Sequence, residues 1–277
     1  MDNTLTYADL DWDILWKNSR NQKSWSSKGP EEWDKRASSF SSRNQPSPFV
    51  FLVMSRLPLN NDQTVLDIGA GPGTLSLPIA SKVRSVTAID YSAGMLAALR
   101  DNAMQAGIDN IRAVQVSWED DWSLLGIEKH DIAIASRSLA VEDLKGALCK
   151  LNQYASDYVF IVDRISPTPF DPEAFQAIGR SFSPGPDYIY TLNMLYSMGI
   201  HPHVDILRFE NTAIFNDLDE AFCSYSWMFK DLTQGEESLL RGYLADRATA
   251  CLDGHICIER TNPPQWACIW WRRVARP

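Results

Sequence analysis

The sequence is poor in basic residues for a protein that binds polyanions. Lys and Arg number 26 against 35 Asp and Glu, which gives a formal net charge of −9. A protein that neutralises many phosphates needs a basic surface, and docking on an anionic membrane needs one too. The composition therefore predicts neither a nucleic-acid partner nor a membrane partner.

Long apolar runs and paired cysteines are also missing. No apolar stretch approaches the roughly 20 residues of a membrane span, and the first residues lack the basic and apolar stretches of a signal peptide. The five cysteines form no CxxC pair, as is typical of scattered, reduced thiols. We expect a cytoplasmic protein without a membrane-spanning segment.

Histidine is scarce. Of four histidines, His201 and His203 flank Pro202, but further ligands at suitable spacing are absent, so we predict no metal site. Exposed loop histidines are the favoured interpretation of the pair, and a catalytic base is the alternative.

What the chain does contain is an ordinary globular composition. It has 277 residues, 45% hydrophobic and 22% charged, enough for one large domain or a domain with a cap. Ten tryptophans exceed what a core of this size needs.

Short apolar runs alternate with helical patterns through the middle of the chain. Strands are predicted at 64–68, 85–89, 111–116, 131–135 and 158–162. This alternation indicates βαβ units and a parallel sheet. Near the end, 255–260 and 266–272 alternate like an antiparallel hairpin.

We predict four regions. They are a helical N-terminal cap (1–48), a core of alternating strands and helices (49–165), a proline-rich insertion that covers part of the core (166–230), and a C-terminal helix with antiparallel strands completing the core sheet (231–277).

The sharpest motif follows the first of these strands: Val65-Leu66-Asp67-Ile68-Gly69-Ala70-Gly71-Pro72-Gly73-Thr74. Glycines after a strand permit a tight turn and close approach of a ligand, which the amides of the next helix then face. A dinucleotide site would place its third glycine where Thr74 stands. Asp67 disfavours a pyrophosphate and suits an amine, and Asp90 is placed to bind ribose hydroxyls. The motif predicts a ligand with a ribose and a positive charge; a purely structural turn is the alternative.

This region resembles the class I S-adenosylmethionine-dependent methyltransferases, whose first motif reads (V/L)LD-x-G-x-G-x-G. The resemblance implies an α/β fold with a Rossmann-like, seven-stranded, mostly parallel sheet, helices on both faces and an antiparallel C-terminal strand. It implies S-adenosyl-L-methionine as cofactor and S-adenosyl-L-homocysteine as product. The expected contacts are with the methionine part (Gly69, Ala70, Gly71, Gly73), its amino group (Asp67), the ribose (Asp90) and the adenine (Tyr91, Met95).

Two positions depart from the family pattern. Ser117 stands where many members carry an Asp that meets the adenine amine, so Trp118 and Glu119 are expected to serve the adenine instead. After the fourth strand, 135–139 lacks the Asn/Asp-Pro-Pro-Tyr motif of many amino methyltransferases, which disfavours that subclass. Ser136 in this segment is assigned to the cofactor site.

Candidate acceptor residues come from strand ends and from the cap. Arg137 and Arg164 follow the fourth and fifth strands, and ligands of open α/β sheets bind beyond such ends. A guanidinium there suits a carboxylate or phosphate, although helix capping or surface pairing is the alternative. Trp12, Trp16 and Trp25 are candidates for enclosing the acceptor, and helix packing explains them equally well.

The predicted function is methyl transfer by in-line displacement to a small-molecule acceptor. No residue is assigned as catalytic, because the sulfonium donor is already electrophilic and alignment with exclusion of water is the main need. Two alternatives remain: a non-catalytic cofactor-binding or sensor domain, and an NAD(P)-dependent oxidoreductase, which Thr74 and Asp67 disfavour.

Overall fold

Ten strands and ten α-helices make up the described part of the chain. The computed structural model describes residues 6–25, 29–34, 47–210, 212–251 and 254–275. The strands are β1 (Thr64–Ile68), β2 (Ser85–Asp90), β3 (Ile111–Gln115), β4 (His130–Ser136), β5 (Ala155–Arg164), β6 (His203–Arg208), β7 (Thr212–Phe215), β8 (Ala248–Ala250), β9 (Ile256–Glu259) and β10 (Gln265–Arg272). The helices are α1 (Trp12–Gln22), α2 (Pro30–Asp34), α3 (Pro48–Met54), α4 (Ser76–Ala80), α5 (Ala93–Gln105), α6 (Leu144–Tyr154), α7 (Pro172–Ala177), α8 (Tyr188–Ser197), α9 (Leu218–Ser226) and α10 (Gln234–Arg247).

Seven strands form the main sheet in the order β3-β2-β1-β4-β5-β10-β6. The first five strands of this order are parallel, and β10 runs antiparallel to both β5 and β6. Parallel neighbours need crossover connections, which α4, α5 and α6 supply. The predicted α/β fold class is confirmed.

The register brings the carboxyl ends of the central strands to one level. Ile68 at the end of β1 lies opposite Ile89 of β2 and Ala135 of β4. The residues that follow these strands therefore meet at one edge of the sheet, where α/β folds bind their ligands.

The sheet is buried on both faces. Leu66, Ala133 and Ile161 belong to a core shared with α6, α8 and Trp16 of α1. Their strand neighbours Val65 and Ile132 belong to the core on the other face, under α3, α4 and α5. Burial on both faces explains why these strands read as continuous apolar runs.

A second, smaller sheet contradicts the predicted C-terminal hairpin. Strand β9 pairs antiparallel with β7 and β8 in a three-stranded sheet, whereas β10 lies between β5 and β6. Alternation tells which side chains share a face but does not identify the partner strand. Residues 231–277 therefore complete the core sheet only through β10, and the predicted insertion 166–230 contributes β6 to that sheet.

The small sheet packs with α7, α9 and α10 around a third core that includes Phe175, Tyr225 and Leu240. Cys251, directly after β8, and Cys257, within β9, form a disulfide. This corrects the expectation that all five cysteines are free. Cys149, Cys223 and Cys268 are free. Every helix in the described ranges is too short or too polar to cross a membrane.

Candidate functional site

The glycine loop after β1 depends on glycine at three positions. Gly69, Gly71 and Gly73 have φ angles of +71°, +56° and +91°, which L-amino acids with a side chain rarely adopt. A Cβ on Gly69 would lie 2.3 Å from Cβ of Ser138, in the segment after β4. Ser138 Oγ in turn donates to the carbonyl of Ile68 at 2.6 Å, so the end of β1 with its glycine loop is in direct contact with the segment after β4.

Asp67 lies beneath this loop and is only 2% exposed. Ser76 Oγ donates to Asp67 Oδ2 at 2.6 Å. Burial raises the pKa of Asp67 to about 6, although the hydrogen bond from Ser76 opposes the shift and the charge of Asp90 adds to it. Ionisation of this buried carboxylate therefore lowers the free energy of unfolding, as expected for a group whose charge serves a ligand.

We expect Asp67→Asn to stabilise the ligand-free protein at neutral pH. Because the folded pKa of about 6 exceeds the reference value of 3.8, the wild-type group supports the fold fully below pH 3.8 and loses that contribution as the pH rises through 6. The variant's advantage should be small below pH 4 and reach at most about 3 kcal/mol above pH 7.

Urea unfolding at several pH values between 5 and 7.5 measures this difference. Asp109→Asn, which removes one exposed charge, is the matched control and should show no comparable rise. A constant difference between Asp67→Asn and wild type across this range would contradict the burial argument.

Asp90 joins the glycine loop to the start of α5. Its Oδ2 accepts from the amide of Gly71 and its Oδ1 from the amide of Ser92, both at 2.9 Å. It is 6% exposed, and burial raises its pKa while the backbone donors oppose the shift. Each carboxylate oxygen keeps a second lone pair, so these bonds leave acceptor capacity for hydroxyls.

The two candidate adenine residues lie next to this carboxylate. Tyr91 is partly exposed, and burial of the rest raises the pKa of its hydroxyl to about 12. Met95, in the first turn of α5, is 3% exposed, and its amide donates to Ser92 Oγ, which caps the helix.

Helix α2 of the N-terminal region sits on the same helix start. Asp34 Oδ1 accepts from Ser92 Oγ at 2.5 Å and from the amide of Gly94 at 2.9 Å. A Cβ on Gly94 would come within 2.9 Å of Asp34. Helix α2 belongs to the predicted helical cap, of which residues 35–46 fall outside the described residues.

Trp118 connects the segments after β3 and β4. Its Nε1 donates to the carbonyl of Ser138 at 3.0 Å, and the carbonyl of Trp118 accepts from Lys150 Nζ at 2.6 Å. By contrast, Ser117 Oγ accepts from the amide of Glu119 in a local turn, and Glu119 is exposed. The structure thus ties Trp118 to the site, whereas the contacts of Ser117 and Glu119 are local.

Further candidate residues lie at the carboxyl ends of β4 and β5. Ser136 Oγ is buried and has no hydrogen-bond partner among the described residues. Arg137 has a φ of +58°, and its Cζ lies 4.2 Å from the ring centroid of Phe49 and 5.6 Å from that of Trp266. Arg164 Nε donates to the carbonyl of Pro186 at 2.8 Å.

The three candidate tryptophans of the cap have different roles. Trp16 is 4% exposed and its Nε1 donates to the carbonyl of Val141 at 3.1 Å, so it packs the cap onto the loop after β4. Trp12 packs at the margin of the same core. Trp25 lies beside Arg164, with 4.8 Å between the ring centroid and Cζ. Trp25 thus contacts Arg164, another candidate acceptor residue, whereas Trp12 and Trp16 pack in the core; the acceptor role of all three stays a prediction.

The histidine pair lies away from this edge. His203 begins β6 and stacks on Trp270, with 4.1 Å between ring centroids, beside a cavity of about 390 Å³ that Tyr158 and Arg272 also line. Among the described residues, no three His, Cys, Asp or Glu side chains are grouped to hold a metal ion.

The sequence pattern did not single out three residues that shape the site. Ser92 carries a detectable signal, a serine directly before a helical pattern. Asp34 and Ser138 carry none, since their partners are 58 to 60 and 70 residues away in sequence.

Chemically, this edge combines features suited to a charged nucleoside-like ligand. It offers a loop whose backbone a ligand can approach closely, a buried carboxylate at Asp67 and a second carboxylate at Asp90. Directly after β4, the guanidinium of Arg137 lies against two aromatic rings.

Comparisons with known proteins find similarity to methyltransferases. A model described as a methyltransferase domain matches residues 65–158. An uncharacterised protein of Haemophilus influenzae is 31% identical over 251 residues, covering 87% of this chain and 89% of that protein. A putative methyltransferase of Bacillus halodurans shares the fold, with a TM-score of 0.56 and 16% identity over 81% of this chain and 98% of that one.

A shorter match involves an enzyme that acts on RNA. The 23S rRNA (uracil(1939)-C(5))-methyltransferase RlmD of Xanthomonas oryzae is 32% identical over 82 residues. The match covers 28% of this chain and 18% of that enzyme. Similarity of this extent leaves most of RlmD without a counterpart in the chain.

Proposed function

Because the chain belongs to the class I S-adenosylmethionine-dependent methyltransferases, we propose that it methylates a small molecule bound beyond the ends of β4 and β5. The observation that carries the proposal is the bridge from Gly71 through Asp90 to Ser92. It places a carboxylate between a glycine loop and a helix start, as binding of a ribose requires.

The residues present fit the cofactor. Asp67 supplies negative charge for the ammonium group, Asp90 supplies acceptors for the ribose hydroxyls, and Ser136 Oγ is a buried hydroxyl without a partner in the described chain. Tyr91, Met95 and Trp118 supply apolar surface near the adenine end. When bound, the sulfonium supplies an electrophilic methyl group.

The chain's own contribution to the reaction is alignment and exclusion of water. Phe49, Trp266 and Trp25 provide apolar walls beyond β4 and β5, and the cap helix α1 is fixed there through Trp16. Holding acceptor and donor in line lowers the barrier without a covalent intermediate.

A small-molecule acceptor is favoured over RNA. The net charge of −9 opposes binding to a polyanion, and the similarity to RlmD covers only 82 residues. Incubation with methyl-tritiated S-adenosylmethionine tests this choice, with a cell's small-molecule extract and its total RNA as separate acceptors. We expect label in the small-molecule products. Label in RNA alone would overturn the assignment, and label in neither fraction, with cofactor bound, would favour the non-catalytic sensor.

Calorimetry separates the methyltransferase from an oxidoreductase. We expect S-adenosylhomocysteine to bind with a dissociation constant in the micromolar range and NAD not to bind, because Thr74 replaces the third glycine and Asp67 opposes a pyrophosphate. Binding of NAD without binding of S-adenosylhomocysteine would contradict the proposed function.

A further inference from the structure

Arg137 is a charged side chain without a counter-ion in the part of the chain that the structure describes. Its guanidinium makes no hydrogen bond or ion pair with any described residue and instead lies against the rings of Phe49 and Trp266. Although the residue as a whole is exposed, the rings packed against its guanidinium lower the pKa of Arg137 to about 10 through burial, so the side chain remains charged at neutral pH.

The backbone at Arg137 adopts a conformation that is unusual for a residue with a side chain. Its φ of +58° places it in the left-handed region, and Asp231 is the only other non-glycine residue there among those described. Its amide still donates to the carbonyl of Val162 at 2.8 Å. A non-glycine residue held in this region indicates a functional constraint.

A second guanidinium lies at the end of the neighbouring strand β5. Arg164 lies opposite Trp266 in the β5–β10 register, and it is 9% exposed with Nη1 unpartnered in the described chain. Burial lowers its pKa, while the charges of Asp163 and Asp187 raise it. The two acids offset part of its charge, so Arg137 is the stronger of the two anion-binding groups.

Further cations lie on the cap side of Arg164. Lys23 Nζ lies 4.1 Å from the ring centroid of Trp25, the same ring that Arg164 approaches. Burial and the neighbouring charges of Arg20 and Arg164 lower the pKa of Lys23 to about 8. Lys23 and Arg20 therefore add positive charge on the cap side of Arg164.

We propose that the methyl acceptor carries an oxyanion, a carboxylate or a phosphate, which pairs with Arg137 and has Arg164 as a second, weaker partner. This inference rests on the proposed function, since it places the acceptor beyond β4 and β5. A planar guanidinium suits both anions because it donates two parallel hydrogen bonds. The rings of Phe49 and Trp266 hold the guanidinium in position for that pairing.

The test uses wild-type protein saturated with S-adenosylhomocysteine and three probes of similar shape: benzoate, phenyl phosphate and the neutral benzamide. We expect at least one of the two anions to bind by calorimetry at least tenfold more tightly than benzamide; which one binds distinguishes carboxylate from phosphate. Arg137→Met should weaken that anion at least tenfold, and Arg137→Lys should restore part of the loss.

Arg84→Met is the matched control, because Arg84 is equally exposed at the opposite, amino-terminal end of β2 and should leave all affinities unchanged. Equal binding of benzamide and the anions, or no binding of either anion, would overturn the inference. So would an equal loss of S-adenosylhomocysteine affinity in Arg137→Met, which would assign Arg137 to the cofactor. Failure of wild-type protein to bind S-adenosylhomocysteine at all would instead refute the proposed function.

Discussion

Asp90→Ala is expected to weaken binding of S-adenosylhomocysteine by roughly 10- to 100-fold. Hydrogen bonds to a charged group contribute about 1.5–3 kcal/mol, and each 1.4 kcal/mol is a factor of ten in affinity. The substitution removes the acceptors proposed for the ribose. It also releases the amides of Gly71 and Ser92, so the loop loses its link to α5.

Calorimetric titration measures the effect, and Asp131→Ala is the matched control. Asp131 Oδ2 likewise accepts two hydrogen bonds, from the amide and hydroxyl of Thr64, but at the amino-terminal end of the sheet. Both variants should lose comparable stability, while only Asp90→Ala should lose affinity. Unchanged affinity in Asp90→Ala would show that the ribose lies elsewhere.

The sequence was enough to locate the part of the candidate site whose residues are close together along the chain. Asp67, the glycine loop and Asp90 belong to two strand ends close together in sequence, and their spacing reflects strand and turn geometry. The same holds for the order of strands and helices through β5, since apolar runs of this length alternating with helical patterns predict parallel strands.

Contacts between distant segments were not predictable in this way. The interlock of Gly69 with Ser138 and the capping of α5 by Asp34 depend on tertiary packing. The predicted partner of strand β9 was wrong for a similar reason: alternation does not identify the partner strand, and only packing against α10 and its neighbours places β9 in the small sheet. The αL backbone of Arg137 likewise has no signal in the sequence, because arginine is not a residue that favours it.

Gly69→Ala is expected to be the most damaging single substitution in the loop. An L-residue in the left-handed region costs about 1–2 kcal/mol. The new Cβ would also lie 2.3 Å from Cβ of Ser138, and overpacking of this kind costs about 1–3 kcal/mol. The free energy of unfolding should therefore fall by about 2–5 kcal/mol, with loss of S-adenosylhomocysteine binding as the loop shifts.

Two other glycines separate the causes. Gly71 and Gly107 also have positive φ, but a Cβ on either meets no atom within 4 Å, so each alanine variant should lose only the backbone cost of about 1–2 kcal/mol. Gly71→Ala should in addition weaken S-adenosylhomocysteine, because its Cβ stands where the ligand approaches the loop, and Gly107→Ala, in the turn after α5, should not. Urea unfolding and calorimetry on the three variants give the comparison. Equal stability losses at Gly69 and Gly107 would show that the contact with Ser138 does not hold the loop against the segment after β4.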